Sequence, residues 1–289
     1  MAFRTLIIDT HSKVEYSLEY LVFRTPETIK RVLLDEVHTI IFQSTAISVT
    51  TSLLAELVKR KIKVIFCDEK KNPISELYSY YGAHNTSGRI FEQLSIKEES
   101  KGIIWKRIVE EKIKNQAISL RKKYKYDASN QLKEYAKEVE THDSTNREGH
   151  AAKVYFNNIF HKGFTREEEC QLNAFLNYGY TILLSQFNRV ISSYGYLTQL
   201  GIHHKNEFNQ FNLSCDLIEP FRFLVDDFVQ TIDEKDYEWK EKIVSLLATE
   251  VLIAGKKQTV ANAIDIYCKS VFGALKSSKP EEIKFIENE

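Results

Sequence analysis

Two adjacent histidines precede two acids in an apolar segment of the chain. In GIHHKNEFNQFNLSCDLIEPFR, residues 201–222, His203 and His204 are followed by Asp216 and Glu219. A neutral imidazole with carboxylates is a ligand set that suits a divalent cation such as Mn²⁺ or Mg²⁺. The segment therefore predicts a metal site, provided that the chain folds His204 back over the acids.

The two acids also have a simpler interpretation. If residues 213–228 form one helix with Pro220 tolerated near its first turn, Asp216 and Glu219 lie on neighbouring columns of one face. The same D-x-x-E spacing is typical of a capping box at a helix N-terminus. Local sequence alone favours the cap, and the nearby histidines shift the balance towards a metal site.

A third acid stands in TNREGHAAKVYF, residues 145–156. Glu148 precedes Gly149 at the start of a predicted helix, where an acid also complements the helix dipole. Zinc is a poor candidate for the metal, because the chain has no H-E-x-x-H motif and no cysteine pair at ligand spacing. The hard cations Mg²⁺ and Mn²⁺ are the better match.

Length and composition indicate a globular, helix-leaning protein. The chain has 289 residues, 43% of them hydrophobic, which allows one large domain or two unequal ones. It has 40 basic and 40 acidic residues, so only local patches can favour nucleic acid. The first residues indicate a strand rather than a signal peptide, and no apolar run approaches the roughly 20 residues of a membrane span. We expect a cytoplasmic protein.

The periodicity of the apolar residues changes near residue 80. Up to that point short β-rich runs alternate with turns, and VEYSLEYLVF alternates as one half-buried strand would. Beyond it, apolar residues recur at helical spacing, including in WKEKIVSLLATEVLIAG. The predicted class is α+β, with a small β-rich N-terminal domain and a larger, almost all-α C-terminal catalytic domain. The expected bounds are 1–80, a linker at 81–92, and 93–289 with a tail that is frayed from about 277.

One basic run stands out within the predicted helical domain. Residues 106–126 hold eight Lys or Arg against two Glu, with two tyrosines interleaved. A solvated helix face is the commoner origin of such a run. The alternative is contact with DNA phosphate, for which Arg121, Lys122 and Lys123 are the candidates.

Three motifs, in order, resemble the CRISPR-associated spacer-acquisition integrase family. They are E-G-x-A-A-x-x-Y-F from Glu148, LNAFLNYGY at 172–180, and L-G-I-H-H followed by D-L-I-E-P-F-R. The resemblance spans nearly the whole chain, and NLSCDLIEPFR is similar to the type II branch in particular. The β-rich domain, linker and helical domain also agree with that family in order and length.

The resemblance implies roles for individual residues. Glu148, His204 and Glu219 match the family's metal ligands, and Asp216 matches an acid that helps to build the same site. Glu219 stands where many relatives have Asp, which lengthens the ligand by one methylene. Tyr178 aligns with an active-site tyrosine of some relatives, although core packing explains it equally well. His203 has no equivalent role.

The implied reaction is integration, in which the 3′-hydroxyl of a captured fragment attacks a phosphodiester at the end of a CRISPR repeat. The implied partners are double-stranded DNA, a second copy in a homodimer, and a small ferredoxin-like companion protein that bridges two dimers. Two alternatives remain open, a general metal-dependent nuclease and a non-catalytic helical scaffold for DNA. If Glu219 is a ligand, Glu219→Gln is expected to keep or raise stability by relieving repulsion among the acids.

Overall fold

Two small β-sheets form the N-terminal unit, and the C-terminal unit is mostly helical. The structure, a computed structural model, describes residues 4–77, 79, 85–233 and 235–288, and its internal contacts divide the chain into units 1–82 and 83–289. The predicted α+β order is confirmed. The predicted linker is not wholly a linker, because a helix already begins at Thr86, whereas residues 81–84 lie outside the described residues.

In the described residues, the N-terminal unit has two four-stranded sheets, with strand orders β1-β5-β7-β8 and β4-β3-β2-β6. The strands are β1 (Arg4–Ile8), β2 (Ser12–Ser17), β3 (Tyr20–Arg24), β4 (Ile29–Leu33), β5 (Val37–Phe42), β6 (Ile47–Val49), β7 (Lys63–Cys67) and β8 (Pro73–Glu76). Strands β1, β5 and β7 are parallel, and β6 runs parallel to β2. Helix α1 (Thr51–Lys59), capped by Thr50, buries Leu53 and Leu57 in the core that the strands share.

The single strand predicted for VEYSLEYLVF is wrong, because the segment is a hairpin. Strand β2 ends at Ser17 and β3 begins at Tyr20, and the two residues between them, Leu18 and Glu19, have φ angles of 47° and 72°. Two-residue hairpin turns require such positive φ values and usually employ Asn or Gly. Neither Asn nor Gly is present at this turn, and the alternation of apolar and polar residues continues through it. The sequence pattern therefore gave no indication of the hairpin.

The described part of the C-terminal unit contains nine α-helices and one β-hairpin. The helices are α2 (Thr86–Ser95), α3 (Glu98–Lys122), α4 (Tyr126–Lys137), α5 (Arg147–Ile159), α6 (Gln171–Ser193), α7 (Asn212–Ile218), α8 (Arg222–Val229), α9 (Trp239–Ser245) and α10 (Val260–Ser277). Helix α3 lies at the centre and packs against α4, α5, α8 and α10. None of the helices in the described ranges is long and apolar enough to cross a membrane.

Two expectations for the end of the chain are wrong. The helix predicted to continue to Gly255 stops with α9, and β9 (Glu250–Ile253) pairs with β10 (Lys256–Thr259). The tail beyond Ser277 is packed rather than frayed, because Ile283 and Ile286 are 7% and 6% exposed. Ile286 forms a β-bridge with β9, so the apolar residues of the tail hold a segment whose charged residues suggested disorder.

Candidate metal site

The long helix α3 is the platform on which the segments with candidate ligands meet. Trp105, Lys112 and Asn115 follow one stripe of the helix, at spacings of seven and three residues. Trp105 contacts the histidines, Lys112 contacts two glutamates, and Asn115 binds the chain beside one of them. Because seven residues of α-helix rise about 10 Å, these contacts are spread along the helix axis.

Asp216 organises the histidine segment. Its carboxylate is fully buried and accepts hydrogen bonds from four donors. The donors are the backbone N–H groups of Ile202 (2.5 Å), His203 (3.0 Å) and His204 (3.1 Å), and Nδ1 of His204 (2.5 Å). A Cβ atom on Gly201 would lie 2.3 Å from the His204 carbonyl oxygen, so only glycine fits there. The capping interpretation of Asp216 is therefore wrong, because the acid lies inside α7 and binds the preceding loop.

The two histidines have different surroundings. The His203 ring stacks on Trp105, with centroids 4.5 Å apart and planes within 4°. His204 meets the same indole edge-on at 5.8 Å. Burial lowers the pKa of His203, whereas the hydrogen bond that His204 donates to Asp216 raises the pKa of His204. With Nδ1 of His204 bound to Asp216, Nε2 is the nitrogen that remains to bind a ligand.

Glu148 lies in the first turn of α5, as the sequence predicted. Asn146 caps this helix, and its Oδ1 accepts a hydrogen bond from the N–H of Gly149 at 3.2 Å. Asp143 adds a second cap, because its carboxylate accepts from the N–H groups of Arg147 (2.8 Å) and Glu148 (3.0 Å). The backbone that carries Glu148 is thus fixed by two side chains from the preceding turn.

Glu219 opens a short 3-10 turn between α7 and α8, so residues 213–228 are helical but do not form one uninterrupted α-helix. The cause is Pro220, which has no N–H and obstructs the preceding helical turn. Asn115 Nδ2 donates to the Pro220 carbonyl at 3.1 Å and fastens this turn to α3. Asp216 and Glu219 consequently serve different partners, although only three residues separate them.

One lysine joins the two candidate glutamates. Lys112 Nζ lies 2.5 Å from Glu148 Oε1 and 2.5 Å from Glu219 Oε2, and Arg222 Nε lies 2.9 Å from Glu219 Oε1. Burial by itself raises the pKa of Glu219, but Arg222 and Lys112 outweigh it and lower this pKa to about 2. Burial likewise opposes the charge on Lys112, yet the two carboxylates raise its pKa. Glu219 and Lys112 are therefore both ionised at neutral pH.

The donor set fits a divalent cation, although a lysine stands between the two acids. Among the described residues, no three His, Cys, Asp or Glu side chains are arranged to hold a metal ion as they stand. Glu219 Oε2 is buried without a hydrogen bond of proper geometry, despite its proximity to Lys112. The charges of Glu219 and Glu148 also raise the pKa of His204, so all three groups share one electrostatic neighbourhood. Carboxylate oxygens with an oriented imidazole are donors that Mn²⁺ and Mg²⁺ accept.

Of the two tyrosines in the NYGY motif, Tyr180 is the one that contacts Arg222, the ion-pair partner of Glu219. The Tyr178 ring is buried edge-on against Trp239, with centroids 5.3 Å apart. The Tyr180 ring carries the guanidinium groups of Arg166 and Arg222 at 5.1 and 4.6 Å. Because two residues differ by about 200° around a helix, the two tyrosines serve opposite faces of α6.

The basic patch of Arg121, Lys122 and Lys123 is exposed at the C-terminal end of α3. Lys122 Nζ donates to the Asn288 side chain at 2.8 Å, so the packed tail already engages one of the three. Arg121 follows Lys112 by nine residues, or about 14 Å along the helix. The patch and the candidate metal site therefore lie on the same helix but at different positions along it.

Sequence reasoning missed the residues that support the ligands. Lys112 was counted within a basic run, although it continues the inward stripe of Trp105 and Ile108 at helical spacing, which is a detectable signal. The sequence signal for Asp143 was weaker. It lies three residues before Asn146, in a run of residue types that favour helix N-caps. The stacking of Trp105 on a histidine 98 positions later left no local signal.

The chain matches one family of CRISPR-associated enzymes over most of its length. The family described as CRISPR associated protein Cas1 matches residues 6–252. The CRISPR-associated endonuclease Cas1 of Neisseria meningitidis serogroup C (strain 8013) is 34% identical over 226 residues, which are 78% of this chain and 74% of the relative. The chain belongs to the Cas1 family of CRISPR adaptation enzymes, and the resemblance of its motifs is confirmed.

Solved structures share the fold. A casposase bound to integration product is similar with a TM-score of 0.76 at 21% identity, over 96% of this chain and 91% of the other. A chain of a Cas6-RT-Cas1–Cas2 complex is similar with a TM-score of 0.77 at 19% identity. The match covers 99% of this chain and 36% of that longer one. At these identities the likeness establishes the common architecture of the two units.

Proposed function

We propose that this protein is the metal-dependent integrase that inserts captured DNA fragments into a CRISPR array. The observation that carries the proposal is the meeting of Glu148 and Glu219 at one ammonium group, that of Lys112, in the electrostatic neighbourhood of an oriented His204. Membership of the Cas1 family supports the reaction class. The reaction exchanges one phosphodiester for another through attack by a 3′-hydroxyl.

Glu148, Glu219 and Nε2 of His204 would hold the divalent cation, Mg²⁺ or Mn²⁺. When bound, such a cation polarises the phosphate and favours ionisation of the attacking hydroxyl. Asp216 holds His204 by its Nδ1 atom and fixes the backbone of the loop, so the ligand nitrogen keeps one direction. Asn115 similarly fixes the turn that carries Glu219.

DNA is the proposed substrate, as captured fragment and as CRISPR repeat. Arg121, Lys122 and Lys123 are proposed to contact phosphates, which position the duplex without reading its sequence. Similar solved structures, a casposase bound to integration product and a Cas6-RT-Cas1–Cas2 complex, support DNA and protein partners. The proposed assembly consists of two homodimers that are bridged by a small ferredoxin-like companion protein.

A general DNA nuclease is the second candidate, because the Neisseria relative is named an endonuclease. The same ligands would then activate water and release fragments. The test incubates a labelled fragment with a repeat-bearing plasmid, the companion protein and Mn²⁺, with Glu148→Gln as control. Transfer of label to the plasmid that is lost in the control and with chelator supports the integrase. Released fragments without transfer favour the nuclease, and activity that survives chelation would overturn both.

A further inference from the structure

We propose that Lys112 is a built-in competitor of the divalent cation, and that its ammonium group moves from the two glutamates to Gln116 when the metal binds. The inference rests on the proposed metal site and concerns how that site is kept stable and selective before it is loaded. Lys112 is then a positioning residue with two states rather than a fixed ion-pair partner.

The first step of the argument is geometric. Lys112 Nζ is 2.5 Å from one oxygen of Glu148 and 2.5 Å from one oxygen of Glu219. Those two oxygens are thus at most about 5 Å apart, close to the spacing that a hard cation needs at about 2.1 Å from each. A cation bound by both oxygens would overlap the ammonium group, so the two cannot occupy the position together.

The second step concerns charge. Lys112 and Arg222 balance the charges of Glu148 and Glu219, so this partly buried cluster of four side chains is neutral. Adding a divalent cation while the ammonium group stays between the two carboxylates would bring two positive charges into contact in a poorly solvated site. Arg222 is held over the Tyr180 ring, so Lys112 is the group with freedom to leave.

The third step is that a receiving position exists. A cavity of about 230 Å³ adjoins the ion pairs and is lined by Lys112, Gln116, Tyr180 and Asp226, among others. Gln116 is 4% exposed, and its Oε1 atom is buried without a hydrogen-bond partner. Because positions four apart on a helix are neighbours, Lys112 can reach this oxygen by rotating its side chain. An unsatisfied buried acceptor is costly unless a donor reaches it in another state.

The experiment measures Mn²⁺ binding to the intact protein without DNA, by the electron paramagnetic resonance signal of free Mn²⁺. Lys112→Met removes the competitor at similar volume, and we expect its dissociation constant to fall at least about tenfold. Gln116→Met removes the receiver, and we expect about fivefold weaker binding. In the double variant the Gln116 effect disappears. Lys114→Met, an exposed lysine of the same helix, is the matched control and leaves binding unchanged.

Each outcome separates this inference from the metal site itself. If Glu219→Gln and Glu148→Gln leave Mn²⁺ binding intact, the proposed metal site is wrong. If those variants abolish binding while Lys112→Met binds no more tightly than wild type, the site stands and the competitor is overturned. Unchanged binding in Gln116→Met overturns its role as receiver. Lys112→Gln repeats the measurement if the methionine variant does not fold.

Discussion

Asp216→Asn is the substitution whose cost the structure defines best. The carboxylate has two oxygens, each of which accepts from two donors: Oδ2 from the N–H groups of Ile202 and His203, and Oδ1 from the N–H and Nδ1 of His204. Asparagine keeps one oxygen, so two donors lose their acceptor whichever way the amide turns. Its NH₂ group then faces those donors.

The magnitude follows from the number of bonds lost. Hydrogen bonds to a charged group contribute about 1.5–3 kcal/mol each, so the loss of two lowers the free energy of unfolding by about 3–6 kcal/mol. At about 2–4 °C per kcal/mol, that corresponds to a fall in melting temperature of about 6–24 °C. Release of His204 also weakens metal binding by about 10–100-fold.

The assay is thermal unfolding in EDTA together with a Mn²⁺ titration, with Asp226→Asn as the matched control. Burial raises the pKa of Asp226 to about 7, against the hydrogen bond from Tyr180 that lowers it. Between about pH 4 and pH 7 the unfolded chain loses this proton while the folded protein keeps it, so this group's contribution to stability falls as pH rises. Asp226→Asn therefore changes stability little at pH 4 and raises it at pH 8. An Asp216→Asn protein that melts with wild type and binds Mn²⁺ equally would refute the anchoring role.

Three further outcomes are expected. Glu219→Gln in EDTA lowers the free energy of unfolding by roughly 3–5 kcal/mol, because it leaves buried basic partners uncompensated, and it abolishes fragment joining. This result reverses the expectation that was based on repulsion among the acids. A variant as stable as wild type, or more stable, would restore that expectation. His204→Ala abolishes Mn²⁺ binding and joining, whereas His203→Ala keeps both and loses mainly its stacking on the indole, so equal loss in the two would show the ligand misassigned. Replacing residues 121–123 together by alanine reduces the magnitude of the slope of log DNA affinity against log salt concentration by about three, as measured by filter binding at several salt concentrations. An unchanged slope would mean that the patch is solvated and does not contact DNA.

Long-range features of the site were predictable only where a family pattern supplied them. Glu148 and Glu219 lie 71 positions apart, and nothing local indicates that they share a cation; the resemblance of their motifs did so. Periodicity gave the helices but not their interruptions, since Pro220 could begin a helix or end one. His203 and His204 are the same residue type side by side, and only the buried indole on one side and the buried carboxylate on the other distinguish them.

Lys112 illustrates a different limit. Charge counting assigned it to a solvated or DNA-binding face, because composition does not record which side of a helix a residue occupies. The helical spacing of Trp105, Ile108 and Lys112 indicates that Lys112 lies on the inward face of the helix. A lysine on such a face requires buried acids as partners. A search for basic residues on apolar stripes would have predicted the ion pairs before any acid was assigned to them.

The stacking of Trp105 on His203 gives the protein an optical reporter. The indole is fully buried and lies 5.8 Å from the His204 ring, and its emission depends on nearby charge and polarity. The chain has two tryptophans, so Trp239→Phe leaves Trp105 as the single emitter. Titration of that variant with diamagnetic Mg²⁺ would then follow loading of the site in real time, in solution and without a DNA substrate.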